Sequence, residues 1–176
     1  MAPTVSDTLM TPIDRFWLPA DRVYTTDGQG WLLDRSDGLF FSTNPDVLAT
    51  PELAKQRCLI LLGEPGIGKS TAISPGSPLV KAGDEAHEMR IDLASYSTEE
   101  RLIRNVLEGR EITAWLEGDY ELCLTLDSFD EAHTRIETLH RLVAEYVALW
   151  DSARLFLRIV CRTAEWPTSL EQRLKE

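Results

Sequence analysis

Residues Cys58–Thr71 read CLILLGEPGIGKST. An uninterrupted apolar run, Cys58–Leu62, enters a glycine-rich loop and then a lysine and two hydroxyl residues. A short apolar run bounded by turn residues predicts a strand buried on both faces, as in a parallel sheet. The loop Gly63-Glu64-Pro65-Gly66-Ile67-Gly68-Lys69-Ser70 matches G-x-x-x-x-G-K-[ST] throughout. Glycines let a backbone curl through positive φ, so that successive amide N–H groups point into one concavity suited to phosphate. On this reading residues Gly63, Glu64, Pro65, Gly66, Ile67, Gly68, Lys69, Ser70 and Thr71 form a nucleotide phosphate cradle. Lys69 reaches the outer phosphates and the Ser70 hydroxyl ligates Mg²⁺. A helix starting at the loop would add its unpaired N–H groups and dipole.

Outward from this loop, three more strands are expected at Glu88–Leu93, Glu121–Leu126 and Leu155–Cys161. Helical patterns lie between them. Ser97 and Glu100 suggest a capping box, followed by a stripe of Leu102, Ile103, Val106 and Leu107. Gly109 would end that helix, with a short continuation over Ile112–Leu116. Ala132, Ile136, Leu139, Val143, Tyr146, Val147 and Trp150 recur at helical spacing, predicting one long amphipathic helix. Strand–helix alternation predicts an α/β fold, here a three-layer P-loop sandwich with a mainly parallel sheet. The helix after the loop meets Pro75 and Pro78, so it is expected to run about two turns, or to kink and resume near Leu79.

The third strand runs into Asp127-Ser128-Phe129-Asp130-Glu131. A carboxylate at a strand end beside the loop hydroxyl is what a Walker B element supplies, so Asp127 is the candidate metal-side residue. Asp130 or Glu131, with Glu131 slightly ahead, would orient the attacking water. Both acids would also favour the start of a following helix. Arg162, at the carboxyl end of the fourth strand, points to the ligand crevice and is a candidate γ-phosphate sensor; the plainer alternative is a surface pair with Glu165. His133 and His140 lie seven apart without a third ligand nearby, which argues against a metal site. His87 is placed in an exposed Gly83–Glu88 turn. Arg101 and Arg104 are read as solvated helix partners of Glu100 and Glu108.

The whole chain bounds these readings. It has 176 residues, 18 Lys+Arg against 29 Asp+Glu, and a net charge of −11. Such acidity argues against nucleic acid as a general partner, because that binding neutralises phosphates with Lys and Arg. The cysteines Cys58, Cys123 and Cys161 each sit in an apolar run and read as buried free thiols in a reducing compartment. No apolar stretch is long enough for a membrane span, and no secretory signal is visible, so the expected location is cytoplasmic. Residues 1–43 form a separate β-rich extension with short strands at Arg22–Thr26, Trp31–Asp34 and Leu39–Ser42, Phe16, Trp17 and Trp31 covering a core edge. Residues 44–176 form the nucleotide-binding core.

The segments Leu61–Thr71, Leu124–Ala132 and Arg158–Thr163 together resemble the NTPase core of the STAND class, in its NACHT-like branch. Ser128 after the first aspartate, then Asp130-Glu131, fits that branch better than an Asp-Glu pair would. Asn44–Leu53 loosely resembles the segment that contacts the base. The resemblance implies an ATP-binding and ATP-hydrolysing switch using Mg²⁺, with ATP ahead of GTP, in signalling or antiviral defence. It also implies self-association of the intact protein. Relative to that family the chain stops early, at Glu176, so it is expected to be a fragment or a degenerate copy. The alternatives are a non-catalytic remnant serving as an interaction module, and a nucleic-acid-linked motor ATPase.

Overall fold

The computed structural model describes residues 15–26, 28–29, 44–80 and 86–175. It divides into two units, Met1–Thr50 and Pro51–Glu176. In the first, β1 (Phe16–Trp17) pairs antiparallel with β2 (Leu48–Ala49). Of the expected strand Arg22–Thr26, only Thr26 makes an isolated bridge, and Arg22–Thr25 are not in a strand. Instead the buried Asn44 side chain stands in for a strand partner: its Oδ1 accepts from the Thr25 amide at 2.7 Å and its Nδ2 donates to the Thr25 carbonyl at 3.1 Å. The expected strands at Trp31–Asp34 and Leu39–Ser42, and Trp31 itself, lie outside the described residues. Trp17 donates its indole N–H to Thr50 Oγ1 at 3.1 Å.

The second unit is an α/β assembly on a four-stranded sheet. Its strands are β3 (Cys58–Leu62), β4 (His87–Asp92), β5 (Leu122–Asp127) and β6 (Leu155–Cys161), in the order β3-β6-β5-β4. All three strand pairs are parallel. The central strands β5 and β6 are buried at every residue, whereas edge strands β3 and β4 are only partly covered. That contrast has its origin in composition: LCLTLD and LFLRIVC bring apolar side chains to both faces, while HEMRID alternates charge with hydrophobicity. His87 therefore opens β4 rather than sitting in a turn, and β5 begins and ends one residue later than expected, so that Asp127 closes the strand.

One face of the sheet carries the main core. Leu122, Leu124, Leu126, Leu155, Leu157, Ile159 and Cys161 pack with Val106, Trp115, Phe129, Leu139 and Leu170. Trp115, Phe129, Leu139 and Leu170 come from α4 (Arg110–Glu117), α5 (Phe129–His133), α6 (Leu139–Leu149) and α7 (Thr168–Leu174), and Val106 from the segment that follows α3 (Glu99–Leu102); a short α1 (Thr50–Leu53) and the single-turn α2 (Lys69–Ala72) precede them. The cap of α3 is Thr98, not Ser97: Thr98 has the extended dihedrals a cap needs, and its hydroxyl accepts from the Arg101 amide at 3.4 Å. After α3 the chain widens into a π-turn over Ile103–Leu107, closed by Glu108 N–H to Ile103 O at 2.8 Å. That extra residue keeps Leu102, Val106 and Leu107 all buried. Gly109 then starts α4, and a Cβ there would fall 2.5 Å from the Asn105 carbonyl. The expected long helix over Ala132–Trp150 is broken into α5 and α6. Three β-branched residues, Thr134, Ile136 and Thr138, lie in the break and lower helix propensity, while Ala132, Ile136, Leu139, Val143 and Trp150 still reach the core.

The opposite face holds Arg158, which has 0% exposure. Its guanidinium donates only to main-chain carbonyls: Leu79 at 2.8 Å, Gln56 at 2.7 Å, Ala54 at 3.0 Å, Arg57 at 3.2 Å and Leu157 at 3.1 Å. Burial pushes its pKa down from the ordinary value, but a guanidinium stays charged at neutral pH. Five carbonyl dipoles thus replace water around a buried cation. Among the described residues no buried side-chain polar atom lacks a partner.

Of the cysteines, Cys123 and Cys161 are buried as expected, but Cys58 is exposed, because β3 is an edge strand. Among the described residues no helix is long and apolar enough to cross a membrane.

Replacing Arg158 by Met should orphan the carbonyls of Ala54, Gln56 and Leu79 and cost about 3 kcal/mol or more in chemical denaturation. Burial raises the Cys123 thiol to about 11 and the Cys161 thiol to about 12 from 9.0. A raised folded value gives stability that is complete below the unfolded value and lost above it. Stability should therefore fall as pH climbs from 9.0 toward 12, and a Cys123→Ala, Cys161→Ala double variant should show a shallower fall when monitored by denaturant midpoints.

Candidate functional site

The site is built where β3, β5 and β6 end. After Leu62 the loop turns through Gly66 (φ 80°) and Gly68 (φ 88°), the left-handed region that an L side chain resists. The Lys69 ammonium folds back over the loop and donates to the carbonyls of Gly63 and Glu64. Gly63 and Glu64 thus hold the lysine rather than line the crevice. Ile67 points outward and is 64% exposed.

The loop helix α2 is shorter than expected, a single turn ending at Ala72. Its dipole is correspondingly small. The chain leaves through a tight turn with Gly76 at φ 82°. Ser77 ties that turn by donating its hydroxyl to the Ala72 carbonyl, and Ile73, Leu79 and Val80 are buried beside it. No helix resumes at Leu79 within the described residues.

A cavity of about 410 Å³ opens here, lined by Pro65, Gly66, Gly68, Lys69, Ser70, Thr71, Asp127, Ser128, Asp130, Glu131, Val160 and Arg162. The loop, the acidic strand end and the arginine, far apart in sequence, thus meet in one crevice. Its size falls in the range of small-molecule sites. Val160 was not a candidate; it lines the crevice because β6 alternates its side chains between faces.

Each acid in the crevice has a partner. Asp127 Oδ1 accepts from the Ser128 amide at 2.9 Å, and Oδ2 accepts from Arg90 Nη2 at 2.7 Å. Asp130 Oδ2 lies 2.9 Å from Arg162 Nε, and Oδ1 accepts from the Arg162 amide at 3.3 Å. Glu131 is more loosely held, 3.9 Å from Arg162 Nη2 and half exposed. Arg162 therefore pairs with Asp130; Glu165 lines a smaller neighbouring cavity of about 220 Å³ with Asp130, Glu131 and Arg162. Arg90 escaped the sequence reading because nothing local in HEMRID marks it; only the β4–β5 pairing, which sets Arg90 against Thr125, brings it near Asp127.

No family model matches the chain, and no curated protein matches it. The site's chemistry thus rests on its own geometry.

Ser128 sits at φ 58°, the one non-glycine residue with positive φ among the described residues. This turn lets Asp127 close the strand and Asp130 open α5 within a few residues. His133, one turn further along, meets His140 with Nε2 3.3 Å from Nδ1. Among the described residues no group of three or more metal-ligating side chains of His, Cys, Asp or Glu comes together.

Left-handed backbone at a non-glycine residue costs about 1–2 kcal/mol. Ser128→Gly should therefore keep or raise stability by up to about 1 kcal/mol, and Ser128→Val should lower it by more than that. Urea denaturation of the two variants checks the order.

Proposed function

We propose that this chain is a Mg²⁺-dependent, ATP-binding and ATP-hydrolysing switch module of the NACHT-like branch of the STAND class, built on a P-loop sandwich. The observation that carries the reading is the shared cavity: the Gly66–Thr71 loop faces Asp127, Asp130, Glu131 and Arg162 across about 410 Å³. That donor set suits a triphosphate with its metal. Loop amides and an ammonium favour phosphate oxygens, while a hydroxyl and a carboxylate are hard oxygen donors.

In this reading the amides of Gly66, Gly68, Lys69 and Ser70 and the Lys69 ammonium hold the outer phosphates. The Ser70 hydroxyl and Asp127 hold the magnesium ion, which when bound would neutralise charge building between the phosphates. Asp130 is committed to Arg162 through two contacts, so it positions the arginine. Glu131, half exposed and loosely held, is the acid left to orient water. Arg162 then answers to the γ-phosphate. Placement of such a switch in the cytoplasm, in signalling or in defence, and its self-association, rest on the sequence resemblance alone.

The single-turn α2 favours a second reading, a remnant that no longer binds nucleotide and acts as an interaction module. Calorimetric titration separates the two. Mg-ATP should bind the wild-type chain, and Lys69→Ala should lose at least tenfold in affinity, about 1.4 kcal/mol. Equal affinity for the two proteins would defeat the switch reading; no heat and no thermal shift with the wild type would favour the remnant.

A further inference from the structure

Arg90 has no part in the phosphate and metal chemistry proposed for the crevice, yet it is paired with Asp127. It stands on edge strand β4, with its side chain 38% exposed, and reaches across to Oδ2 of Asp127, whose side chain is only 9% exposed. Arg90 does not line the cavity, whereas Asp127 does. The carboxylate is thus shared between an arginine from the neighbouring strand and the crevice where a divalent ion would sit.

Two roles are open to a cation in that place. It can orient the carboxylate for a metal, as outer partners of metal ligands commonly do. Or it can oppose the metal by occupying the same oxygen and by adding a positive charge beside it. The first role is already filled: the Ser128 amide fixes Oδ1 at 2.9 Å, and the carboxylate is buried at the end of β5. What Arg90 adds is charge on Oδ2.

We propose that Arg90 competes with the divalent ion for Asp127, a positioning residue whose guanidinium must loosen its hold before the metal side of the site fills. The inference rests on the nucleotide-switch reading for its biological sense. It makes metal loading dependent on the state of β4, the exposed edge of the sheet. A partner or chain segment that drew Arg90 away from Asp127 would favour loading, and one that pressed it inward would oppose it.

Mn²⁺ shares the preference of Mg²⁺ for oxygen ligands and is detectable by water-proton relaxation. The test titrates Mn²⁺ into wild type, Arg90→Gln, Arg90→Lys and an Arg90→Gln, Asp127→Asn double variant, with and without a non-hydrolysable ATP analogue. Removing one unit charge beside the metal should lower the Mn²⁺ concentration at half-saturation about tenfold in Arg90→Gln. Arg90→Lys, which keeps the charge, should stay near wild type, and the double variant should lose the gain. Structural damage would weaken binding, so a gain that lysine cancels is specific to competition. Unchanged or weaker Mn²⁺ binding in Arg90→Gln overturns the proposal. Should the analogue bind none of the proteins, the nucleotide reading fails, while the titration of Mn²⁺ alone still decides the role of Arg90.

Discussion

One buried cation holds the frame of the site. The Arg158 guanidinium gathers the carbonyls of Ala54, Gln56 and Arg57, which lead into β3, and that of Leu79, which lies beyond the loop and α2. The strand, loop and turn that form one wall of the crevice are thereby clamped at both ends to the central strand β6. A hydrophobic side chain in this position would fill the volume but leave the carbonyls of Ala54, Gln56 and Leu79 without this donor, while Arg57 O would keep the Leu157 amide at 2.7 Å, and an unpaired buried carbonyl is expensive. A long helix after the loop would ordinarily cover this face of the sheet. Here α2 is one turn long, and the hydrogen bond from Arg158 to Leu79 holds the Ser74–Val80 segment against the sheet instead.

The same economy of charge governs the crevice. Lys69 and Arg162 in the lining stand against Asp127, Asp130 and Glu131, and the formal charges cancel only with Arg90, which reaches Asp127 from outside the lining. Lys69 rests on carbonyls of its own loop, Arg90 on Asp127, and Arg162 on Asp130. A polyanion with a divalent ion would find Lys69, Arg162, Asp127 and Asp130 already engaged and only Glu131 loosely held, so binding it means exchanging partners rather than filling empty donors. Exchange of this kind ties occupancy to the position of the elements that carry the partners: β4 for Arg90, and α5 with the end of β6 for Asp130 and Arg162. For the switch proposed above, that coupling is the useful property.

Much of this was readable from the chain. Apolar runs located β3 and β6 to the residue, because each run is bounded on both sides by a charged or glycine residue: Arg57 and Gly63 around β3, Arg154 and Arg162 around β6. The loop pattern, with Pro75 close behind it, foretold a short helix, though not one of a single turn. Elsewhere the stripe of apolar residues was right and its helix wrong. Ala132, Ile136, Leu139 and Val143 do face one core, but a broken pair of helices satisfies the same spacing as a continuous one when the break falls on β-branched residues. The α3 cap slipped from Ser97 to Thr98 because adjacent hydroxyl residues are equivalent on paper, and only the backbone angles choose between them. Cys58 was misjudged because an apolar run does not say whether its strand is central or at an edge.

By itself the sequence determined what is local: the strand–loop–lysine unit, the acid at the end of β5, and the alternation that makes an α/β chain. Those arise from backbone sterics and short-range periodicity, which neighbouring residues settle among themselves. Only the tertiary structure decided strand order, and strand order sets everything that acts at a distance. It put β4 beside β5, and so Arg90 on Asp127. It put β6 between β3 and β5, and so Arg158 under the loop and Arg162 on Asp130. An ion pair or a buried guanidinium is fixed by which strands are neighbours, and neighbours in a parallel sheet are joined through crossovers too long for local sequence to specify.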